Sequence, residues 1–200
     1  MPAAAGASHN PHGRSSAVLT FANQLTLLRM LLIPVFAILL VYEQLGGALA
    51  VFIVASVTDM LDGYFARRSG HPTTLGAWLD PVADKLLLLT MFIVLTLPLP
   101  HLTHRIPLWL TLVVFSRDLG IVLTVSIVNL ALGPRTFYPS IWGKLATATF
   151  AATGVVTLFF NWLAHPSPIP GLFFVASGVI TVFSALHYLL TAQRPKTGPR

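Results

Sequence analysis

Hydrophobic residues in this chain run almost unbroken for about twenty positions at a time and then give way to short clusters of Gly, Pro and charged residues. Six such segments stand out, at 22–42, 47–67, 76–98, 107–130, 143–163 and 170–191. Each is close to the ~20 residues an α-helix needs to cross ~30 Å of hydrocarbon. The breaks carry turn residues: Glu43 with Gly46-Gly47, Gly70 to Pro72, Pro98 to Pro107, Gly133-Pro134 to Pro139, and Pro166 to Pro170. No internal repeat is visible. The pattern predicts an all-α polytopic membrane helix bundle of about six transmembrane helices over residues 21–192, with a flexible N-terminal tail at 1–20 and a basic C-terminal tail at 193–200.

Composition agrees with lipid as the outer solvent. The chain is 55% hydrophobic and 9% charged, where a soluble domain has roughly a quarter of its residues charged. A net charge of +6 without any Lys/Arg run or aromatic-basic ladder excludes nucleic acid as the partner and suits membrane lipids with anionic head groups. Cysteine is absent, which excludes disulfides, thiolate-bound zinc and thiol catalysis. The first twenty residues lack the basic-then-apolar order of a secretory signal and read as a cytoplasmic tail. With both termini cytoplasmic, Arg14, Arg67, Arg68, Arg135, Arg194, Lys196 and Arg200 lie inside and Arg105 alone falls in an outer loop, as the positive-inside rule requires. This orientation predicts a multi-pass inner or cell-membrane protein whose active site faces the cytoplasm. Trp78, Tyr138, Trp142 and Tyr188 then anchor the inner interface, and Tyr42, Trp109 and Trp162 the outer one.

Against this background the acids are conspicuous. Four of the six carboxylates, Asp59, Asp62, Asp80 and Asp84, fall between residues 59 and 84. An ionised Asp in a helix at the bilayer centre costs roughly 2.5–3.5 kcal/mol on insertion scales, so four of them need a compensating partner. Asp59, Asp62 and Ala66 share one helical face, and Gly76, Asp80 and Asp84 share one on the next helix. A short connection makes the two helices antiparallel neighbours, so that both faces can converge. Four such carboxylates form a hard-oxygen cage for one or two divalent cations, Mg²⁺ or Mn²⁺ rather than Zn²⁺. Ion pairing with Arg67, Arg68 and Lys85 would leave the intervening small residues unexplained. Gly63, Ala66 and Gly76 allow close approach of a backbone or flat ligand, and Arg67 is placed to hold a phosphate. Carboxylates, metal and an arginine at one membrane interface point to phosphoryl transfer from a nucleotide-activated lipid, with two metals stabilising an in-line displacement. A cation transporter is the alternative, but it predicts discontinuous helices and an inverted repeat.

The spacing Asp59-x2-Asp62-Gly63-x2-Ala66-Arg67-x8-Gly76-x3-Asp80-x3-Asp84 resembles the complete signature of the CDP-alcohol phosphatidyltransferase family. Residues 23–36, 75–87, 115–118 (FSRD) and 143–144 (GK) resemble the branch containing phosphatidylglycerophosphate synthases and cardiolipin synthases. The resemblance implies that Asp59, Asp62, Asp80 and Asp84 hold the metals and that Asp84 is the general base. It further implies that Asp62, Gly63, Ala66, Arg67 and Gly76 bind CDP, that the donor is CDP-diacylglycerol with CMP released, and that the protein is a homodimer. The acceptor it implies is of glycerol type. Phosphatidylglycerol, giving cardiolipin, is favoured slightly over glycerol 3-phosphate by Arg117-Asp118, where phosphatidylglycerophosphate synthases tend to carry Arg-Glu. The run GKLATATF departs from the more polar sequence that both groups carry there.

Arg29, Lys85, Arg117 and Lys144 are ionisable groups in or near apolar segments and are candidates for an anionic acceptor's pocket. The competing reading of Arg117 is a structural pair with Asp118. His101 and His104 read as solvated loop residues, His187 as packing, and Pro81 as a kink or a freed carbonyl.

Overall fold

The computed structural model describes residues 21–69, 74–132 and 141–192; within its helices the side chains at 21–25, 59–69, 74–82, 125, 128, 129, 131, 132 and 189–192 fall outside that description. The described residues form six α-helices and no strand: α1 (Phe21–Val41), α2 (Leu45–Ser69), α3 (Thr74–Thr96), α4 (Leu108–Leu132), α5 (Ile141–Trp162) and α6 (Ile169–Ala192). Their ends match the hydrophobic segments to within two residues, because Pro, Gly and polar clusters stop both the apolar run and the helix. The expected tails, with Arg14, Arg194, Lys196 and Arg200, lie outside the described residues, as do the connections containing Gly70–Pro72 and Arg135–Tyr138.

Helix α1 packs on both α2 and α3, α2 on α5, α5 on α6, and α6 on α4; among the described residues α2 and α3 touch each other only sparsely. The short connection predicts α2 and α3 as neighbours; the described residues show them in contact, with α1 packed against both. The core runs through Phe36 and Leu40 of α1, Ala48, Phe52 and Ala55 of α2, Leu87, Met91 and Leu95 of α3, and Ala146, Phe150 and Leu158 of α5. Phe36 and Phe52 lie with ring centroids 5.5 Å apart, and Phe92 meets Phe150 edge-on at 5.7 Å. Gly154 on α5 is where these layers close. A Cβ there would stand 2.7 Å from Met91 Cε and 3.2 Å from Phe52 Cζ, so glycine is what lets α2, α3 and α5 meet.

Outside this core the bundle is apolar: Leu31, Leu112, Ile127, Leu172 and Val179 are all exposed. A water-soluble monomer rarely carries so much contiguous apolar surface, but hydrocarbon is a good solvent for it. Ile141–Trp162 and Ile169–Tyr188 are each long and apolar enough to cross a membrane, while the apolar stretches Thr26–Val41 and Leu45–Thr58 are shorter. Hydroxyls are handled as a low-dielectric medium demands. Thr58, Thr124, Thr149, Thr157 and Thr181 donate to the carbonyl four residues earlier. Thr96–Thr111 joins α3 to α4, and Thr153–Ser177 joins α5 to α6, each at 2.7 Å.

The turns at one end of the bundle correct two expectations. Gly46 and Gly47 do not form the first turn; they lie inside α2, and a Cβ on Gly46 would be 2.9 Å from Trp162 Nε1. The left-handed residue is instead Glu43, at φ 66°, with Gln44 N–H donating to Leu39 C=O and Glu43 N–H to Leu40 C=O, a Schellman closure of α1. Ala164, at φ 50°, closes α5 the same way through His165 to Phe160 and Ala164 to Asn161. Secondly, His101 and His104 are not merely solvated. His101 Nε2 lies 2.9 Å from Leu40 O and its Nδ1 3.4 Å from Glu43 Oε1, which ties the loop after α3 to the α1–α2 corner. Asn161 clasps the His104 backbone through both N–H and C=O at 2.8 Å, and His104 Nε2 lies 3.0 Å from His165 O. The apolar segments gave no hint of these pairings because they join residues 57–61 positions apart.

Candidate functional site

The inward face of α2 is defined by Ala48, Phe52 and Ala55, each fully buried. Steps of three and four residues continue that line through positions 59, 62 and 66 of the same helix. On α3 the buried line Leu87, Met91 and Leu95 extends back through positions 84, 80 and 76. Both rows of signature residues are therefore prolongations, in helical register, of the two rows that build the core. The side chains of Asp59, Asp62, Gly63, Ala66, Arg67, Arg68, Gly76, Trp78, Asp80 and Pro81 lie outside the described residues. Helix α3 runs through Pro81 without an assigned break. Asp84 is described: it is half-buried, between the fully buried Ala83 and the exposed Lys85.

Arg29 is fully buried on α1, the helix that packs against both α2 and α3. It continues the α1 core line of Phe36 and Leu40 through Ile33. A guanidinium taken wholly out of solvent requires anionic company, and the two neighbouring helices carry the carboxylate rows.

The remaining acceptor candidates separate. Lys85 Nζ of α3 stands 3.9 Å from Asp118 Oδ2 of α4, and Arg117 Nη1 donates to Asp118 Oδ1 at 2.6 Å. Arg117 Nη2 also donates to Ser184 Oγ of α6 at 3.0 Å, while its Nε is buried with no hydrogen-bond partner. The structural pairing considered for Arg117 is thus present, and it leaves one donor of the guanidinium unused. Asp118 serves two cations at once, which joins α3, α4 and α6 at the level of Asp84. Lys144 is exposed in the first turn of α5 and forms no ion pair among the described residues. The linking role of Asp118 and the contribution of Ser184 escaped the sequence reading, since neither belongs to a recognisable motif. His187 packs against Trp142, with ring centroids 6.4 Å apart, as expected for a packing residue. Tyr188, expected to anchor an interface, instead buries its hydroxyl in the wall between α4 and α6.

Similarity to known proteins fits this arrangement. The chain is 34% identical over 193 residues, covering 92% of its own length and 86% of the relative's, to a probable phosphatidylglycerophosphate synthase of Mycobacterium tuberculosis. It is 32% identical over 191 residues to a cardiolipin synthase (CMP-forming) of Streptomyces coelicolor, covering 88% and 84%. It is 34% identical over 180 residues to the CDP-diacylglycerol–glycerol-3-phosphate 3-phosphatidyltransferase of Escherichia coli K12, covering 84% and 92%. The family model described as CDP-alcohol phosphatidyltransferase matches residues 19–189, nearly the whole helical bundle, and the chain belongs to that family of membrane enzymes of phospholipid synthesis.

Proposed function

We propose that the protein transfers the phosphatidyl group of CDP-diacylglycerol to a hydroxyl of a glycerol-type acceptor, releasing CMP. The observation that carries this reading is the register of the two Asp rows with the two core rows. Positions 59 and 62 continue the α2 row of Phe52, and positions 80 and 84 the α3 row of Met91, at steps of three and four residues. Asp59, Asp62, Asp80 and Asp84 offer oxygen donors alone, the chemistry that Mg²⁺ or Mn²⁺ prefers, and four carboxylates are enough to hold one or two such ions. Bound there, the ions would neutralise charge on the phosphoryl oxygens.

The protein's own groups account for the remaining steps. Arg67, with Gly63, Ala66 and Gly76 opening space, holds the CDP phosphates. Asp84 accepts the proton of the acceptor hydroxyl as its oxygen attacks the phosphatidyl phosphorus; a P–O bond to the acceptor forms and the P–O bond to CMP breaks. Asp84 is half-buried on α3, one step of the helical register before the buried Leu87, which supports this assignment. Six membrane crossings, with both termini and the carboxylates on the cytoplasmic side, follow from the basic-residue asymmetry.

The test is CMP release from CDP-diacylglycerol by the purified protein in mixed micelles with Mg²⁺ or Mn²⁺, offering glycerol 3-phosphate and phosphatidylglycerol separately. Metal-dependent CMP release with one of them supports the reading. No release with either overturns it.

A further inference from the structure

A groove of about 390 Å³ runs between α4 and α6, beside the Lys85–Asp118–Arg117 chain. Its volume lies in the range of ~300–1,000 Å³ typical of ligand sites. From Val113 to Thr124 it follows α4 for about 16 Å at 1.5 Å per residue. Its rims, Gly120 of α4 and Leu186 of α6, are exposed, so it opens sideways onto the apolar surface of the bundle.

The lining is mostly apolar, and its polar groups fall into two classes. The hydroxyls of Ser116, Thr124 and Thr181 are engaged by backbone carbonyls of their own helices. Arg117 Nε and Tyr188 Oη, on facing helices, are buried and have no hydrogen-bond partner among the described residues. A buried donor without an acceptor costs about 1–3 kcal/mol, so two of them in one wall call for a ligand with acceptor oxygens. The charge points the same way. Asp118 is shared by Arg117 and Lys85, and one carboxylate cannot neutralise two cations. An anionic phosphodiester bearing a long apolar chain satisfies both requirements.

We propose that this groove seats an acyl chain of the acceptor, with the acceptor's phosphodiester at Arg117 and Tyr188, so that the acceptor is an anionic phospholipid with a free glycerol hydroxyl. The proposal rests on the transferase reading. Lys85 and Asp84 stand at the same level of α3, so a headgroup held near Lys85 and Arg117 lies within one helical turn of the proposed base along the bundle. A soluble glycerol phosphate has no use for an apolar groove.

Gly120 makes the idea testable, because a Cβ there meets nothing within 4 Å, and leucine would fill the groove without disturbing the core. Gly171, on the first turn of α6 and equally open, is the control. The full-length protein in phosphatidylcholine vesicles is photolabelled with phosphatidylglycerol carrying a diazirine in one acyl chain. Adducts are expected on peptides 113–124 and 181–188. Labelling should fall about tenfold in Gly120→Leu, a loss of ~1.4 kcal/mol, and stay at the wild-type level in Gly171→Leu. Unlabelled phosphatidylglycerol should compete, and excess phosphatidylcholine and glycerol 3-phosphate should not. The KM for phosphatidylglycerol should rise in Gly120→Leu more than that for CDP-diacylglycerol.

Labelling undiminished in Gly120→Leu, equal competition by phosphatidylcholine, or disulfide-linked chain pairs through Gly120→Cys in place of lipid adducts would overturn the groove assignment. Turnover of glycerol 3-phosphate but not phosphatidylglycerol overturns its role as an acceptor seat. Labelling needs no turnover, so intact labelling with no CMP release from either acceptor counts against the transferase reading and leaves the lipid site standing.

Discussion

Lys85 Nζ on α3 lies 3.9 Å from Asp118 Oδ2 on α4, and the same carboxylate accepts from Arg117 at 2.6 Å. The helix that carries Asp84 is thereby coupled to the helix that walls the α4–α6 groove. The helix of the proposed base and the helix of the proposed acceptor groove are joined by one shared acid.

This coupling predicts non-additivity. Asp118→Asn removes the carboxylate shared by two cations and should destabilise the protein by about 1.5–3 kcal/mol, the range for hydrogen bonds to charged groups. Arg117→Gln in the same background should cost less than it does alone. Thermal unfolding of the four proteins of the cycle in detergent checks this; strictly additive shifts would show that the pair is not coupled.

Catalysis should depend on Asp84 far more than folding does. Asp84→Asn is expected to lower CMP release by about 10²–10⁴-fold, the usual contribution of a general base. Melting temperature and membrane insertion should be preserved. Turnover near the wild-type rate would remove Asp84 from the role of base.

Cation dependence follows from the all-oxygen donor set. Activity lost in chelator should return with Mg²⁺ or Mn²⁺, and Zn²⁺, which prefers nitrogen and sulfur ligands, should restore less. Activity that survives exhaustive chelation would contradict a metal role for the four aspartates.

The loop clasp at the opposite end of the bundle should affect stability alone. Asn161 pairs with both polar groups of the His104 backbone and with Thr157 O. Asn161→Leu leaves His104 N–H and C=O unsatisfied and should cost about 2–4 kcal/mol. The KM values for both substrates should stay unchanged in the variant that remains folded, measured at a temperature below its transition.

Ala164 offers the converse. It holds the left-handed position of the Schellman motif at φ 50°, where a Cβ costs roughly 1–2 kcal/mol. Replacing it by glycine forfeits about 0.4–1 kcal/mol through the looser unfolded chain. Ala164→Gly should therefore stabilise by about 0.5–1 kcal/mol, read as a higher melting temperature with unaltered activity.

The sequence by itself determined the helices and the chemistry of the proposed site. Apolar runs bounded by Pro and Gly set both ends of six helices to within two residues. The three- and four-residue spacing of Asp59, Asp62, Asp80 and Asp84 placed each pair on one face, because helical geometry is local and periodic. Only the tertiary structure decided which helices touch. Helix α1 packs against both α2 and α3, with Phe36 on Phe52, and the missing Cβ of Gly154 lets α5 reach the same core. It also decided that Glu43 and not Gly46 makes the first turn, because Gly46 must yield space to Trp162. The meeting of Lys85, Asp118, Arg117 and Ser184 likewise came from the fold: residues 67 positions apart are brought together by how α4 and α6 pack, a relation that no local pattern encodes.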